Sequence, residues 1–205
     1  RISRNMGIVR EGAELTLINP IRLRLETEHK LNQLGEVKNI VRLGAFHGID
    51  DPYYVNKFEV QFWSQPGGKT YTEPLIDIEI GIGGLTPTSD SEFFEFRGTS
   101  QPECALLLKR GKGVLFTCDS VQNYSDYSFN NWLAKLVMPR IGFPKTTIIG
   151  PIWLRLMTPE NKSLESEFER LLELKFDSLL SAHGTFLEQG AHKAVQTAVR
   201  NTFSG

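Results

Sequence analysis

Two imidazoles and two carboxylates stand in this sequence at places where chemistry can be built. His47 and Asp51 lie in Gly44-Ala45-Phe46-His47-Gly48-Ile49-Asp50-Asp51-Pro52-Tyr53-Tyr54, directly after the apolar run Ile40-Val41-Arg42-Leu43. Asp119 follows the run Gly113 to Thr117, and His183 follows Asp177 to Ala182. Each run has the length and composition of a buried strand. Strand ends are where a rigid scaffold presents reactive groups, and imidazole with carboxylate is a donor set for Zn, Fe or Mn. Taken singly these residues say little: a lone His at a loop start is more often a hydrogen-bonded structural group, and an Asp after a strand is commonly a turn or cap residue. Their shared placement at three strand ends points to one metal centre of His47, Asp51, Asp119 and His183. An ion there would bring the pKa of a bound water toward about 7, with Asp51 or Asp119 as the catalytic carboxylate that takes its proton. Tyr53, Tyr54 and Asn123 are candidates for orienting a substrate, and equally for packing or rim positions.

The elements that must position these groups follow from pattern. Met6 to Arg10 and Leu15 to Ile18 flank the turn Glu11-Gly12 as a hairpin closed by Asn19-Pro20. Arg24 to Leu34 predicts a short amphipathic helix stopped by Gly35, and Asn39 to Phe46 is the strand that delivers His47. Asp51-Pro52 opens a helical turn through Phe58, with Asp51 readable as its N-cap. Leu75 to Ile80 alternates apolar with acidic residues as a half-buried strand. Gly81-Ile82-Gly83-Gly84 is a loop and not a nucleotide fingerprint, because Pro87 intervenes before any helical pattern. Phe93 to Phe96 is a short strand, and Glu103 to Leu108 pairs with Gly113 to Thr117 across Lys109-Arg110-Gly111-Lys112. That turn sets Cys104 opposite Cys118, where two reduced thiols are expected over a strained bridge. Helices are predicted over Asn131 to Val137, Ser163 to Leu174 and Gln189 to Arg200, with an apolar run at Thr147-Ile148-Ile149 between the first two.

Composition bounds the function classes. With 205 residues and 40% hydrophobic content, one domain over 1–205 is expected. The formal net charge of -1 gives no global field toward nucleic acid or anionic lipid, so a small-molecule ligand is the expected partner, with no nucleic acid and no membrane. No apolar run approaches a membrane span, and Arg1-Ile2-Ser3-Arg4-Asn5 lacks the apolar core of a signal peptide, which leads to a cytoplasmic expectation.

The order of these elements resembles the metallo-β-lactamase-like hydrolase superfamily over nearly the whole chain, from Met6 to about Phe203. Paired strands, a strand ending in a His/Asp cluster, a hairpin ending in Asp and a late strand ending in His183-Gly184 carry the likeness. Within it the chain is most similar to a branch known only as a domain of unknown function, where Asn5-Met6, Asn19-Pro20 and a His-Gly-x-x-Asp segment recur. The resemblance implies an α+β fold, an αββα sandwich of two mixed sheets packed face to face with helices outside. The superfamily's first motif, His-x-His-x-Asp-His, aligns with His47, Ile49, Asp51 and Pro52, so two of its histidines are replaced. A further family His falls on Gly98. Asp119 matches the bridging acid and His183 the final His, while His29 and His192 lie on predicted helices away from the site. With four histidines in the chain, a full two-metal centre cannot be assembled. The resemblance implies a single ion at the position shared by Asp51 and His183, or none if Arg97, beside the missing His, supplies a cation to Asp119 or Asp51. Two functions follow: a single-metal hydrolase using a reduced ligand set, or a metal-free, non-catalytic binding module.

Overall fold

The computed structural model describes residues 3–128 and 130–204; Arg1 and Ile2 of the amino-terminal segment lie outside them. The hairpin forms as expected, β1 (Gly7–Glu11) antiparallel to β2 (Glu14–Ile18). Helix α1 (Leu25–Leu34) crosses back so that β3 (Glu36–Val41) runs parallel to β2, and after α2 (Asp51–Lys57) β4 (Gln61–Ser64) runs parallel to β3. The alternating stretch Leu75 to Ile80 contributes only the two-residue edge strand β5 (Ile78–Glu79), paired with Trp63 and Ser64 of β4; just before it the Asp77 carboxylate, not its carbonyl, accepts from the Phe62 N–H. These five strands form one mixed sheet in the order β1-β2-β3-β4-β5.

A second sheet holds β6 (Ser91–Glu95), β7 (Cys104–Leu108), β8 (Val114–Thr117) and β11 (Ser178–Ser181), with β11 parallel to β8 and the other pairs antiparallel. Two short strands, β9 (Val121–Asn123) and β10 (Thr147–Ile149), pair beside it. Between them lie α3 (Trp132–Val137), capped by the Asn131 side chain accepting from the Ala134 N–H, and a 3₁₀ turn Met138–Ile141. Helices α4 (Pro151–Met157), α5 (Glu165–Leu171) and α6 (Ala191–Phe203) complete the chain. Helix α5 is shorter than the spacing predicts because Leu172 and Leu174 leave it to pack on the same core as Phe176.

The period-two alternation of β7 explains the layering. Cys104, Leu106 and Leu108 point into an apolar layer shared with Val41, Leu43 and Trp63 of the first sheet, and Ala105 and Leu107 point into the core beneath α4, α5 and α6. On the far side of the first sheet, Leu15, Leu17 and Ile40 pack against Leu31 of α1 and Tyr54 of α2. The result is two sheets face to face with helices on both outer faces, the αββα arrangement expected. Cys104 and Cys118 are both buried free thiols.

The two sheets are joined by backbone contacts where the chain leaves β3. Gly44 bridges Glu103, and Leu43 O accepts from the Cys104 N–H at 2.8 Å. A Cβ on Gly44 would lie 2.6 Å from Glu103 Oε2 and 2.8 Å from Cys118 Sγ, so only glycine permits this approach. We predict that Gly44→Ala destabilises the fold by about 1–3 kcal/mol, as overpacking of a fixed site does. An unchanged urea midpoint would show that the junction yields freely.

Candidate metal centre

Three strand ends converge on one edge of this sandwich. The junction at Gly44 carries the β3 extension beside β7, the β7–β8 pairing places Asp119 next to it, and the parallel alignment of β11 with β8 brings His183 alongside. Gly184 lets the chain turn away directly after His183, at φ +85°, where a Cβ would strike Asn123 O at 2.0 Å.

The donor atoms face one another. His47 Nε2 lies 3.2 Å from His183 Nε2 and 3.4 Å from Asp119 Oδ2, and His183 Nε2 lies 3.3 Å from Asp119 Oδ1. Among the described residues these three form the group able to hold a metal ion. His183 Nδ1 sits 2.6 Å from Ser3 O, a carbonyl that can only accept, so Nδ1 carries the proton and Nε2 of the neutral ring presents its lone pair to the cluster. Gln122 Nε2 steadies Asp119, donating to its backbone O at 3.1 Å and to Oδ1 at 3.3 Å. Burial lowers the His183 pKa, which keeps the ring neutral. Burial acts to raise Asp119, but the hydrogen bond and charge of His47 outweigh it and its carboxyl stays below the usual range.

The donor set fits an ion. Ligands about 2.1 Å from a tetrahedral metal stand about 3.4 Å apart, close to the three separations here, and two imidazoles with one carboxylate form a common catalytic zinc set with a position left open.

Asp51, expected both as ligand and as catalytic carboxylate, stands outside the group. Its buried carboxylate accepts from Arg42 Nε at 2.6 Å, and Arg42 is held in turn by the carbonyls of Tyr71 and Glu73. Nor does Asp51 cap α2 through its side chain; Asp50 occupies the cap position and pairs with Arg4. The cation beside Asp51 is Arg42 and not Arg97. Arg97 is exposed, and its backbone N–H donates to Glu167. Tyr53 points to α1, its hydroxyl on Glu28, and Tyr54 is fully buried with its hydroxyl on Ile21 O. Asn123 is structural: its amide donates to Thr185 O and its carbonyl accepts from Thr147, tying β9 to β10 and to the turn after His183. His29 and His192 are away from the cluster, as expected, with His192 Nε2 on Leu172 O.

A cavity of about 260 Å³ opens beside Asp119 and His183, walled by Phe46, Tyr124, Met138, Phe143 and Trp153. None of these aromatic and apolar residues stood out in the sequence, since each is an ordinary core residue by type. Among all its lining residues there is no Lys or Arg.

No protein-family model matches this chain, and no curated protein does. Solved structures do. An archaeal metallo-β-lactamase superfamily protein from Sulfolobus tokodaii superposes at TM-score 0.60 with 13% identity over 95% of this chain and 78% of its own. The metallo-β-lactamase FIM-1 from Pseudomonas aeruginosa, in its mono-zinc form, superposes at 0.63 with 9% identity over 98% and 85%. TMB-1 reaches 0.65 with 8% identity over 98% and 87%. The chain has the metallo-β-lactamase fold.

Behind the cluster lies a residue the sequence did not single out. Glu103 is fully buried; its Oε1 accepts from the Ser120 N–H at 2.8 Å, and its Oε2 has no partner among the described residues. Burial, then the nearby charge of Asp119, push its pKa up to about 8, so the acid is mostly neutral at pH 7. Between the ordinary value of 4.5 and about 8 the unfolded chain releases this proton while the folded chain keeps it, so stability falls as pH rises through that window. We predict that stability drops between pH 6 and pH 8 by on the order of 1–3 kcal/mol and that Glu103→Gln flattens this dependence. Urea midpoints at the two pH values check it; parallel pH profiles for both proteins would refute it.

Proposed function

We propose that the chain is a single-metal hydrolase in which His47, Asp119 and His183 hold one Zn, Fe or Mn ion. The spacing of the three donors, with His183 held in the ligating tautomer by Ser3, carries this reading. When bound, such an ion polarises a carbonyl or phosphoryl oxygen and makes hydroxide available near neutral pH. The chain's own groups do the rest. Ser3 fixes the His183 ring, Gln122 orients Asp119, and Asp119 takes the proton of the attacking water and returns it to the leaving group as the scissile bond breaks. Phe46, Tyr124 and Trp153 give the adjoining cavity an apolar wall. No Lys or Arg lines that cavity, so away from the ion it offers no fixed cation to a substrate carboxylate or phosphate. This supports a neutral ester, thioester or lactone with an apolar substituent over a charged substrate.

A second reading keeps the fold as a metal-free binding module. The 3.4 Å approach of His47 to Asp119 favours it, since a protonated His47 would pair with that carboxylate unaided.

Elemental analysis after chelator-free purification separates the two. We expect about one equivalent of Zn, Fe or Mn, lost in Asp119→Ala and His183→Ala and retained in Asp51→Asn, because Asp51 serves Arg42. Less than about a tenth of an equivalent in the parent protein would leave the binding module as the better reading.

A further inference from the structure

Residues 127–159 contain four basic residues, Lys135, Arg140, Lys145 and Arg155, and no acidic one, although the whole chain is nearly neutral. No ion pair among the described residues includes any of the four. The same stretch carries the densest exposed apolar surface of the described structure. Helix α3 buries none of its own residues; Trp132, Leu133, Leu136 and Val137 all face outward, with Trp132 76% exposed. Ile141 after it, and Ile152 and Leu156 one turn apart on α4, extend the surface. Those last three residues also line the cavity beside Asp119 and His183, so the exposed apolar surface is continuous with the cavity wall.

We propose that α3, the 3₁₀ turn and α4 form a docking surface for an anionic lipid bilayer. An apolar face with four basic residues that make no ion pair, Asp126 lying near Lys135 and Lys145, matches such a membrane in both respects: the side chains enter the acyl boundary while the cations meet the headgroups. Each basic residue near that surface raises partitioning about fivefold. The expectation of no membrane partner rested on net charge, which averages this basic stretch against acids elsewhere. Among the described residues no helix is long and apolar enough to cross a membrane, so the contact is peripheral. Seated this way, the lining shared by patch and cavity leads from the lipid toward Asp119 and His183, and an acyl chain could enter along it. The seating stands without the metal centre; only the use of that acyl chain as substrate rests on the hydrolase reading.

Trp132 reports on the contact, because the other two tryptophans, Trp63 and Trp153, are 4% and 2% exposed. With vesicles of phosphatidylcholine containing about 30 mol % phosphatidylserine, we expect co-sedimentation of the full chain and a blue shift of its tryptophan emission, both absent with phosphatidylcholine alone. Lys135→Glu with Arg140→Glu should weaken binding about tenfold or more, and Leu133→Glu with Leu136→Glu should abolish it, in proteins whose circular dichroism matches the parent. Asp119→Ala should bind vesicles as the parent does, so failure of the metal reading leaves this result in place. No binding to the anionic vesicles, or equal binding to both vesicle types, would overturn the proposal. So would a dimer in solution that Leu133→Glu dissociates, since a second copy would then be the occupant of this face.

Discussion

The close approach of the two sheets at Gly44 is the constraint from which the candidate centre follows. Without a side chain on Gly44, the chain leaving β3 lies against Glu103 and Cys118 of the opposite sheet. Glu103 then reaches through to the Ser120 N–H, next to Asp119. One buried acid thus fixes the distance between the loop that carries His47 and the turn that carries Asp119. Its partner-free Oε2 and raised pKa are the cost of placing a carboxyl where geometry, not solvation, decides its position. A purely apolar seam could hold the sheets together equally well, but it could not orient the peptide directly after Asp119 through a hydrogen bond.

A buried ion pair holds the chain on the other side of His47. Arg42 occupies the place beside Asp51, with its guanidinium spread over the Asp51 carboxylate and the Tyr71 and Glu73 carbonyls. Three of the five Arg42 donors are used there, one on the carboxylate and two on backbone carbonyls, so the buried charge is hydrogen-bonded beyond its own ion pair. The consequence for chemistry is a division of labour: Asp51 anchors the loop after His47, and the cluster keeps only His47, Asp119 and His183.

Much of this was legible from residue types and spacing. Strands β8 and β11 follow from short apolar runs bounded by turn residues; β3 ends at Val41, earlier than the run to Phe46 suggests, yet His47, Asp119 and His183 do meet. The free pair Cys104 and Cys118 follows from the register of one hairpin. What escaped has a common cause: side-chain direction is set by tertiary contacts that no local pattern records. Arg42 sits in an otherwise apolar run and reads as an incidental charge, yet it decides the fate of Asp51. Tyr53 and Tyr54 follow the site in sequence but turn away from it once α2 forms, toward Glu28 and Ile21. Strand β9, Val-Gln-Asn, is too short and polar to announce itself, whereas α4 did carry a signal in Gly150-Pro151 followed by Ile152 and Leu156 at helical spacing.

The cluster itself sets acceptor against acceptor. With the Nδ1 proton of His183 given to Ser3, its Nε2 is a lone pair facing the oxygen of an ionised Asp119. A proton on His47 Nε2 relieves part of this, but it points along one direction and must choose between Asp119 at 3.4 Å and His183 at 3.2 Å. A divalent ion has no such preference. Placed among the three donors it satisfies all of them at once, and its double charge offsets the desolvation of the carboxylate more fully than one shared proton does. The three donors are thus arranged so that one ion would satisfy them more completely than a single shared proton does.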